Sequence, residues 1–188
     1  MEKIKNLLKK YSYLKGVTYF VIILLAAHFL WKFSFIEGKD LRGLPQIFLW
    51  RSYDLSFIFN TAVEFLSSQV EWLVHDVFNM DVVVLKNSIY LKEISSLVKI
   101  VWSCSGLKQI FVFFCIIAFY PGGGKQKLWF IPLGILLVWI VNVIRISSLI
   151  GLFESFPNHF ELFHELSKYV FYFIIFMFWV FWEEKIRK

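Results

Sequence analysis

Arg145 lies inside the apolar run from Leu128 to Ile150, which is long enough to cross a bilayer. A span needs about 20 apolar residues, and an arginine at its centre costs roughly 2.5 to 3.5 kcal/mol on insertion scales. Such an arginine by default faces the protein interior or a wet cavity and has a function, although an arginine near a helix end can instead extend to the headgroups. Asn142 precedes Arg145 by three residues, so it can orient the guanidinium or line the same cavity.

Two more side chains with chemical potential lie at the borders of apolar segments. Cys104 opens the segment 104–120, and His164 precedes the segment 167–183. A thiolate is a strong nucleophile, a histidine takes and returns protons, and an arginine stabilises a thiolate or an oxyanion. The three residue types therefore suit acyl transfer. On spacing alone the indication is weak, because a thiol near a span end is more often a packing residue.

The two residues after the cysteine also suit this chemistry. If a helix begins here, the amides of Ser105 and Gly106 at its N-terminus can lower the pKa of the Cys104 thiol and hold an oxyanion. Gly106 would also let a substrate approach the backbone closely. The alternative is that Ser105 is an N-cap and Gly106 a packing residue.

The cysteines and histidines indicate neither a disulfide nor a metal site. Cys104 and Cys115 are the two cysteines, and eleven residues on one helix separate them by about 16 Å, beyond disulfide reach. The apolar neighbours of Cys115 predict an inert thiol. None of these residues has the spacing of a structural zinc site, so we expect no metal and no cofactor.

The composition is that of an integral membrane protein. Of the 188 residues, 59% are hydrophobic and 18% charged, and the mean hydropathy is +0.64. No polar stretch is long enough for a second core, which predicts a single membrane domain over 1–188. The net charge of +6 comes from basic residues at span ends, where they set topology and contact anionic lipids. We expect no nucleic-acid partner, because no basic face interleaved with aromatic residues is visible.

Hydropathy and charge together predict the topology. The basic N-terminus comprises residues 1–16. Four predicted spans follow it, at 17–36, 104–120, 128–150 and 167–183. The number of spans must be even if the N-terminal lysines, the loop lysines Lys125 and Lys127 and the basic C-terminal tail are all cytoplasmic. Four spans place Cys104, Arg145 and His164 at one depth near the outer leaflet, with 151–167 as an external loop.

Two segments between the first and second spans complete the predicted fold. Residues 55–78 carry a polar stripe at helical spacing, which predicts an outer amphipathic helix that does not cross; a full crossing would add a fifth span. The stripe consists of Asn60, Glu64, Ser67, Glu71 and His75, opposite Ile58, Ala62, Leu66, Val70, Leu73 and Val77. Residues 81–101 read as a small extracytoplasmic β-hairpin or meander. The predicted class is an all-α polytopic membrane protein with four transmembrane helices, or with five if residues 55–78 cross the membrane.

At these residues the chain resembles the exosortase and archaeosortase family of membrane-embedded cysteine transpeptidases. The resemblance rests on three ordered motifs: Cys104-Ser105-Gly106-Leu107 opening a span, Asn142-Val143-Ile144-Arg145-Ile146 late in the next, and His164 at the head of the last. The β-like stretch before Cys104 is similar as well. The resemblance covers roughly residues 82 to 178, about half the chain.

The resemblance implies that Cys104 is the nucleophile, Arg145 the stabiliser of the thiolate or transition state, and His164 the acid and base. His164 is preferred to His159, which lies in the loop before the last span. The implied substrates are exported proteins with a C-terminal motif, a transmembrane helix and a basic tail. They would be cut near the outer membrane–water interface of the cell (inner) membrane and joined to an envelope acceptor.

Two other functions remain open on the residues alone. The chain could be a non-catalytic assembly or export factor of an envelope polysaccharide system, with Arg145 paired to an acidic residue such as Glu64 or Glu71. It could also be a lipid-linked transferase, with Arg145 bound to phosphate. A catalytic Cys104 would not tolerate serine or alanine while the fold survives, whereas a structural thiol would.

Overall fold

The computed structural model describes residues 2–39 and 45–186, and for residues 2–13, 39 and 45 it describes the backbone only. Arg187 and Lys188 of the predicted basic tail, and the side chains of the N-terminal lysines up to Lys10, therefore lie outside the described part. The elements run in the order α1 (Glu2–Ser34), β1 (Phe35–Lys39), β2 (Pro45–Leu49), β3 (Tyr53–Asp54), α2 (Ser56–Trp72), β4 (Val82–Leu85), β5 (Ser88–Leu91), β6 (Ser96–Lys99), α3 (Leu107–Phe119), α4 (Gly124–Ser155) and α5 (Phe160–Phe181).

Three stretches of the described chain are long and apolar enough to cross a membrane: Leu14–Ser34, Gly124–Ser155 and Pro157–Ile186. The fourth predicted span corresponds to α3, which is apolar but has only 13 residues. A helix of that length rises about 20 Å, against about 30 Å of hydrocarbon. The structure thus has several membrane-spanning helices, and the exact number of spans stays a prediction.

The apolar helices pack around α3, which contacts α1, α4 and α5. Their shared core contains Phe113, Phe130, Phe171, Ile175, Trp179 and Trp182, each at most 4% exposed. Gly134 lets α3 and α4 approach, because a Cβ there would lie 2.0 Å from Cζ of Phe113. Small residues at such crossings are the usual means of close helix packing in membranes.

Helix α2 packs against α4 and the second sheet, and it is not among the candidate spans. Its packing face is not quite the predicted one. Ser67 of the predicted polar stripe is fully buried and donates a hydrogen bond to the carbonyl of Val63 at 2.8 Å, whereas Ile58 of the predicted apolar face is 58% exposed. The face instead centres on Phe59, Val63, Leu66 and Val70. A serine can be buried here because its hydroxyl bonds within its own helix.

The chain forms two antiparallel three-stranded sheets, β1-β2-β3 and β4-β5-β6. The second occupies the segment 81–101, over which short strands were predicted, and has three strands. The first was not predicted: β1 follows α1 directly, so the first helix ends at Ser34 and not at residue 36. This sheet packs over the end of α1, where Trp31, Ile47 and Phe59 form a small core.

The predicted external loop 151–167 is mostly helical. Helix α4 continues to Ser155, a single 3-10 turn covers Pro157–His159, and α5 begins at Phe160. The rings of Phe153 and Phe160 pack 4.9 Å apart across the turn. His164 is therefore in the second turn of α5 and not ahead of it. The polar residues of this segment made it resemble a loop, but they form the exposed side of a helix.

Candidate active site

Cys104, Arg145 and His164 line one cavity of about 430 Å³, although they are far apart in the sequence. The cavity lies between α1, the segment before α3, and helices α3, α4 and α5. Its lining is His28, Trp31, Lys32, Phe35, Glu37, Trp102, Ser103, Cys104, Lys108, Gln109, Arg145, His164, Lys168 and Tyr172. The fold thus brings together the three residues on which the sequence analysis rests, while their roles stay a prediction.

The segment before α3 places the Cys104 thiol. Cys104 is a half-buried free thiol at the end of a 3-10 turn, and α3 begins only at Leu107. The Cys104 N–H donates to the carbonyl of Val101 at 2.9 Å, and the Ser105 N–H donates to that of Trp102 at 3.0 Å. The Ser105 N–H, one of the two amides predicted to hold an oxyanion, is therefore already used within the turn. Of the two amides, that of Gly106 is left as the candidate.

Ser105 instead supports the start of α3. Its side chain is buried, and its hydroxyl accepts a hydrogen bond from the Leu107 N–H at 3.4 Å. This is close to the alternative role of a helix cap considered above. Ser105 therefore acts on the thiol only through the backbone of the turn.

Gly106 and Asn142 lock this turn onto α4. Gly106 has φ +80°, a conformation that residues with a side chain rarely adopt, and a Cβ there would lie 2.8 Å from Nδ2 of Asn142. That Nδ2 donates to the Cys104 carbonyl at 3.0 Å, and Asn142 is fully buried. Asn142 is thus a clamp on the cysteine turn, whereas the sequence suggested that it orients the guanidinium or lines the cavity.

The Arg145 guanidinium lies among the polar and ionisable side chains of the cavity. Its Cζ lies 5.1 Å from the centroid of the Phe171 ring, and it interacts electrostatically with Cys104, Tyr172 and His164. Its Nε is buried, and among the described residues it has no hydrogen-bond partner. A partly buried, positively charged group with a spare donor suits an anion that forms during a reaction.

No carboxylate in the described ranges forms an ion pair with Arg145. Glu64 is exposed and Glu71 half-buried, and neither contacts it. Glu37, the one carboxylate in the cavity lining, accepts a hydrogen bond from the Trp102 indole at 2.5 Å. The pairing on which the assembly-factor alternative depended is therefore absent from the described residues.

His164 faces the cavity and His159 does not. The His164 ring is half-buried and stacks on Phe160, with centroids 5.9 Å apart. Ser167 donates to the His164 carbonyl at 2.7 Å. His159 is exposed in the 3-10 turn and does not belong to the cavity lining. Of the two histidines, only His164 shares a cavity with the thiol.

Several cavity residues were missed in the sequence: His28, Lys32, Lys108, Gln109, Lys168 and Tyr172. The available signal was helical spacing. His164, Lys168 and Tyr172 recur every four residues along α5, so they share one face, and His28 and Lys32 do the same on α1. Lysines near span ends are ordinarily explained by topology, which hides any second role.

The cavity is strongly positive. Four of its lining residues are lysine or arginine, and one is a carboxylate. Such an excess stabilises an oxyanion that forms during a reaction, since this is a negative charge in partly water-excluded surroundings. Chemically, the cavity can activate a sulfur nucleophile and hold a tetrahedral intermediate.

Comparison with known proteins adds one finding. A family model described as transmembrane exosortase matches residues 6–182, which is nearly the whole chain and extends beyond the three motifs. No curated protein and no solved structure gave a significant match.

Proposed function

Because the chain belongs to the transmembrane exosortase family, we propose that it is a membrane-embedded cysteine transpeptidase or protease that cuts the C-terminal sorting signal of exported proteins. The observation that carries this proposal is the cavity that contains Cys104, Arg145 and His164 together. These are the residue types that acyl transfer requires, in a positively charged cavity within the membrane domain.

In the first half of the reaction, His164 takes the Cys104 proton and the sulfur attacks the carbonyl carbon of the scissile peptide bond. Arg145, with its unpartnered Nε, stabilises the oxyanion of the tetrahedral intermediate. His164 then donates its proton to the leaving amine. The C–N bond breaks, the C-terminal helix and tail depart, and a thioester to Cys104 remains.

In the second half, an acceptor nucleophile attacks the thioester and gives its proton to His164. The sulfur leaves as a thiolate and takes that proton back, which restores the starting state. Water as the acceptor makes the enzyme a protease, whereas an amine or hydroxyl of the envelope makes it a transpeptidase or acyl transferase. Both outcomes use the same three side chains.

A membrane-facing groove gives the substrate helix a place beside the cavity. It lies between α4 and α5, has a volume of about 500 Å³, and Arg145 belongs to both its lining and that of the cavity. Its other residues are almost all apolar, with Ser148 and Ser167 as small polar exceptions. A transmembrane helix in this groove would bring the peptide just outside the hydrocarbon to Cys104.

We place the enzyme in the cell (inner) membrane with both termini in the cytoplasm. The support is the positive-inside rule applied to the N-terminal lysines and to Lys125 and Lys127. On this topology the cavity opens toward the extracytoplasmic side, where exported substrates arrive.

The test is a pair of cysteine variants. Cys104→Ala should abolish cleavage of a tagged exported protein that ends in a transmembrane helix and a basic tail, because no other nucleophile replaces the thiolate. Cys115→Ala is the matched control, since Cys115 is buried in the apolar core and away from the cavity. Cleavage is followed by gel mobility of the substrate at equal membrane expression of both variants.

Normal processing by Cys104→Ala would overturn the proposal. It would show that Cys104 is not the nucleophile for this cleavage. If both variants lose processing because less protein is present, an immunoblot shows this. Cys104→Ser, which is nearly the size of cysteine, then replaces the alanine variant.

A further inference from the structure

Two lysines of the cavity have no part in the proposed chemistry. Lys32 lies near the end of α1, and Lys108 is the second residue of α3; both line the cavity. Their charges repel each other, and both act on the His28 ring. Lys108 also sits at a helix N-terminus, where the helix dipole disfavours a cation. Lys32 is exposed and Lys108 half-buried, so two positive charges, one of them partly shielded from water, line this part of the cavity and favour a bound anion.

Among the described residues, Glu37 is the one carboxylate in the cavity lining; it accepts a hydrogen bond from the Trp102 indole and forms no ion pair with either lysine. The ion pairs found there join other residues, and Lys168 on the far side of the cavity already pairs with Glu165 at 2.5 Å. Next to Lys108, Gln109 is 8% exposed, and its buried Oε1 has no hydrogen-bond partner among the described residues. This oxygen is a hydrogen-bond acceptor, so it does not bind an anion itself; it indicates a missing donor, such as a water molecule or a hydroxyl of a ligand headgroup.

An apolar groove continues into the membrane from the corner of the cavity that Lys32, Lys108 and His28 line. It lies between α1 and α5, has a volume of about 480 Å³, and shares His28 and Tyr172 with the cavity lining. The remaining lining is apolar: Phe20, Leu24, Leu25, Phe173, Ile175 and Phe176. From Phe20 to His28 the helix rises about 12 Å. One leaflet of hydrocarbon is about 15 Å thick, so the groove suits the depth of an acyl chain.

We propose that this corner is a phospholipid-binding site, in which Lys32 and Lys108 bind the headgroup phosphate and the α1–α5 groove holds an acyl chain. Charge complementarity identifies the headgroup, and continuity with a membrane-facing groove identifies the chain. Leu25 and Phe173 of the groove are 51% and 58% exposed, so a chain can enter sideways from the bilayer. A soluble anion or a peptide carboxylate would use the lysines but leave the groove empty.

The proposal does not depend on cleavage activity, because lipid binding requires neither Cys104 nor His164. It does have a consequence for the reaction. The bound headgroup would share the cavity with the thiol, so it would border the space in which the acyl acceptor must enter. A membrane lipid would thus form one wall of the reaction site.

The test measures binding of dioleoyl phosphatidylglycerol to the full chain in detergent by native mass spectrometry. The variant Lys32→Gln with Lys108→Gln should bind about thirty-fold more weakly, since each lysine near an anionic lipid contributes about fivefold. Leu25→Trp, which fills the groove and leaves the lysines intact, should weaken binding by a similar or larger factor. Dioleoylglycerol, which has the chains but no phosphate, and inorganic phosphate alone should bind far more weakly than the phospholipid.

Two matched controls accompany these variants. Lys99→Gln with Lys125→Gln removes the same charge at exposed positions outside the cavity, and Leu30→Trp adds a tryptophan to α1 outside the groove. Both should bind the phospholipid like the parent chain. Melting temperatures in lipid-free detergent show whether each variant is folded.

Three results would overturn the proposal. Unchanged lipid binding by the Lys32→Gln, Lys108→Gln variant would show that the lysines do not hold the phosphate. Inorganic phosphate binding as well as the lipid, with no effect of Leu25→Trp, would show a site for small anions. If a substrate peptide instead displaces the lipid through a side-chain or C-terminal carboxylate, and Leu25→Trp does not change lipid binding, the lysines bind the peptide.

Discussion

Arg145 is the residue whose position is hardest to explain without a function. Its charge lies within a span, and its guanidinium is packed on Phe171 with no carboxylate partner in the described part of the chain. Burying a charge unpaired is costly, so a purely structural arginine would be expected to have an acidic neighbour. What surrounds it instead is the thiol of Cys104 and the ring of His164.

The first residue-scale prediction is that Arg145→Lys lowers substrate processing by roughly 10²- to 10³-fold, the usual cost of losing an oxyanion donor. Lysine keeps the charge but loses the planar fork that stacks on Phe171 and can donate to two acceptors. The measurement is the initial rate of cleavage at matched expression. Arg51→Lys, at an exposed turn, is the control and should be silent. A lysine variant that works nearly normally would show that a point charge suffices.

The second concerns the two histidines. His164→Ala should reduce turnover by roughly 10²- to 10⁴-fold, the share of a general acid and base, because the imidazole shares the cavity with the thiol. His159→Ala should change turnover little, since that ring is exposed and outside the cavity. Both variants are assayed on the same tagged substrate. The assignment is wrong if His159→Ala is inactive while His164→Ala still turns over.

The sequence alone could identify Cys104, Arg145 and His164 as candidates, because each is chemically out of place beside an apolar segment. It could not identify Lys32, Lys108 or Tyr172, whose types are common near span ends. Their meaning depends on which helix faces are opposite each other, and this is a property of packing. The role of Asn142 was misjudged for the same reason: its helix face was known, but the turn that it binds was not.

At the scale of elements, the short α3 makes room for the cavity. Its 13 residues rise about 20 Å, about 10 Å less than the hydrocarbon thickness. On the prediction that α3 is a span, the segment 102–106, a 3-10 turn and the bend after it, occupies the missing length. Backbone that is not helical is tolerated at membrane depth only where it is buried in protein or lines a wet cavity. The polar cavity at the end of α3 therefore follows from the short length of this helix.

The element-scale prediction is that Gly106→Ala disrupts the cysteine turn. Alanine at φ +80° costs roughly 1 to 2 kcal/mol, and its Cβ would press on the Asn142 amide that holds the Cys104 carbonyl. We expect at least a tenfold loss of cleavage rate and a lower melting temperature. Gly151→Ala is the control: a Cβ there meets nothing within 4 Å, and alanine suits a helix better than glycine. Equal behaviour of the two variants would contradict the clamp.

Elements with a clear period were the ones that the sequence could predict. The apolar runs became α1, α4 and α5, the 3.6-residue pattern became α2, and the β-branched runs at 81–101 became strands. The sheet β1-β2-β3 has short strands and mixed composition, so periodicity gave no signal for it. The ends of α4 and α5 were misplaced because polar residues such as Glu154, Glu161 and Glu165 interrupt the apolar run there, although the helices continue.

At the scale of the whole molecule, the cavity meets two apolar grooves, one on each side of α5. The α4–α5 groove reaches it at Arg145, and the α1–α5 groove reaches it at His28 and Tyr172. The substrate helix and the phospholipid are proposed to lie in different grooves, so both can be bound at the same time.

The last prediction tests the orientation of this arrangement. If the basic N-terminus and the loop with Lys125 and Lys127 are cytoplasmic, the start of α3 must face outward, because α3 returns the chain to that loop. In intact cells a membrane-impermeant maleimide should then label Cys104, which is half-buried and lines an open cavity, in a background where buried Cys115 is replaced by alanine. A chain with Cys104 and Cys115 both replaced by alanine and with Lys125→Cys should be labelled only after the cells are opened. The reverse pattern would contradict this orientation: because the end of α1 and Cys104 line one cavity, the whole chain, with its N-terminus, would then be inverted in the membrane.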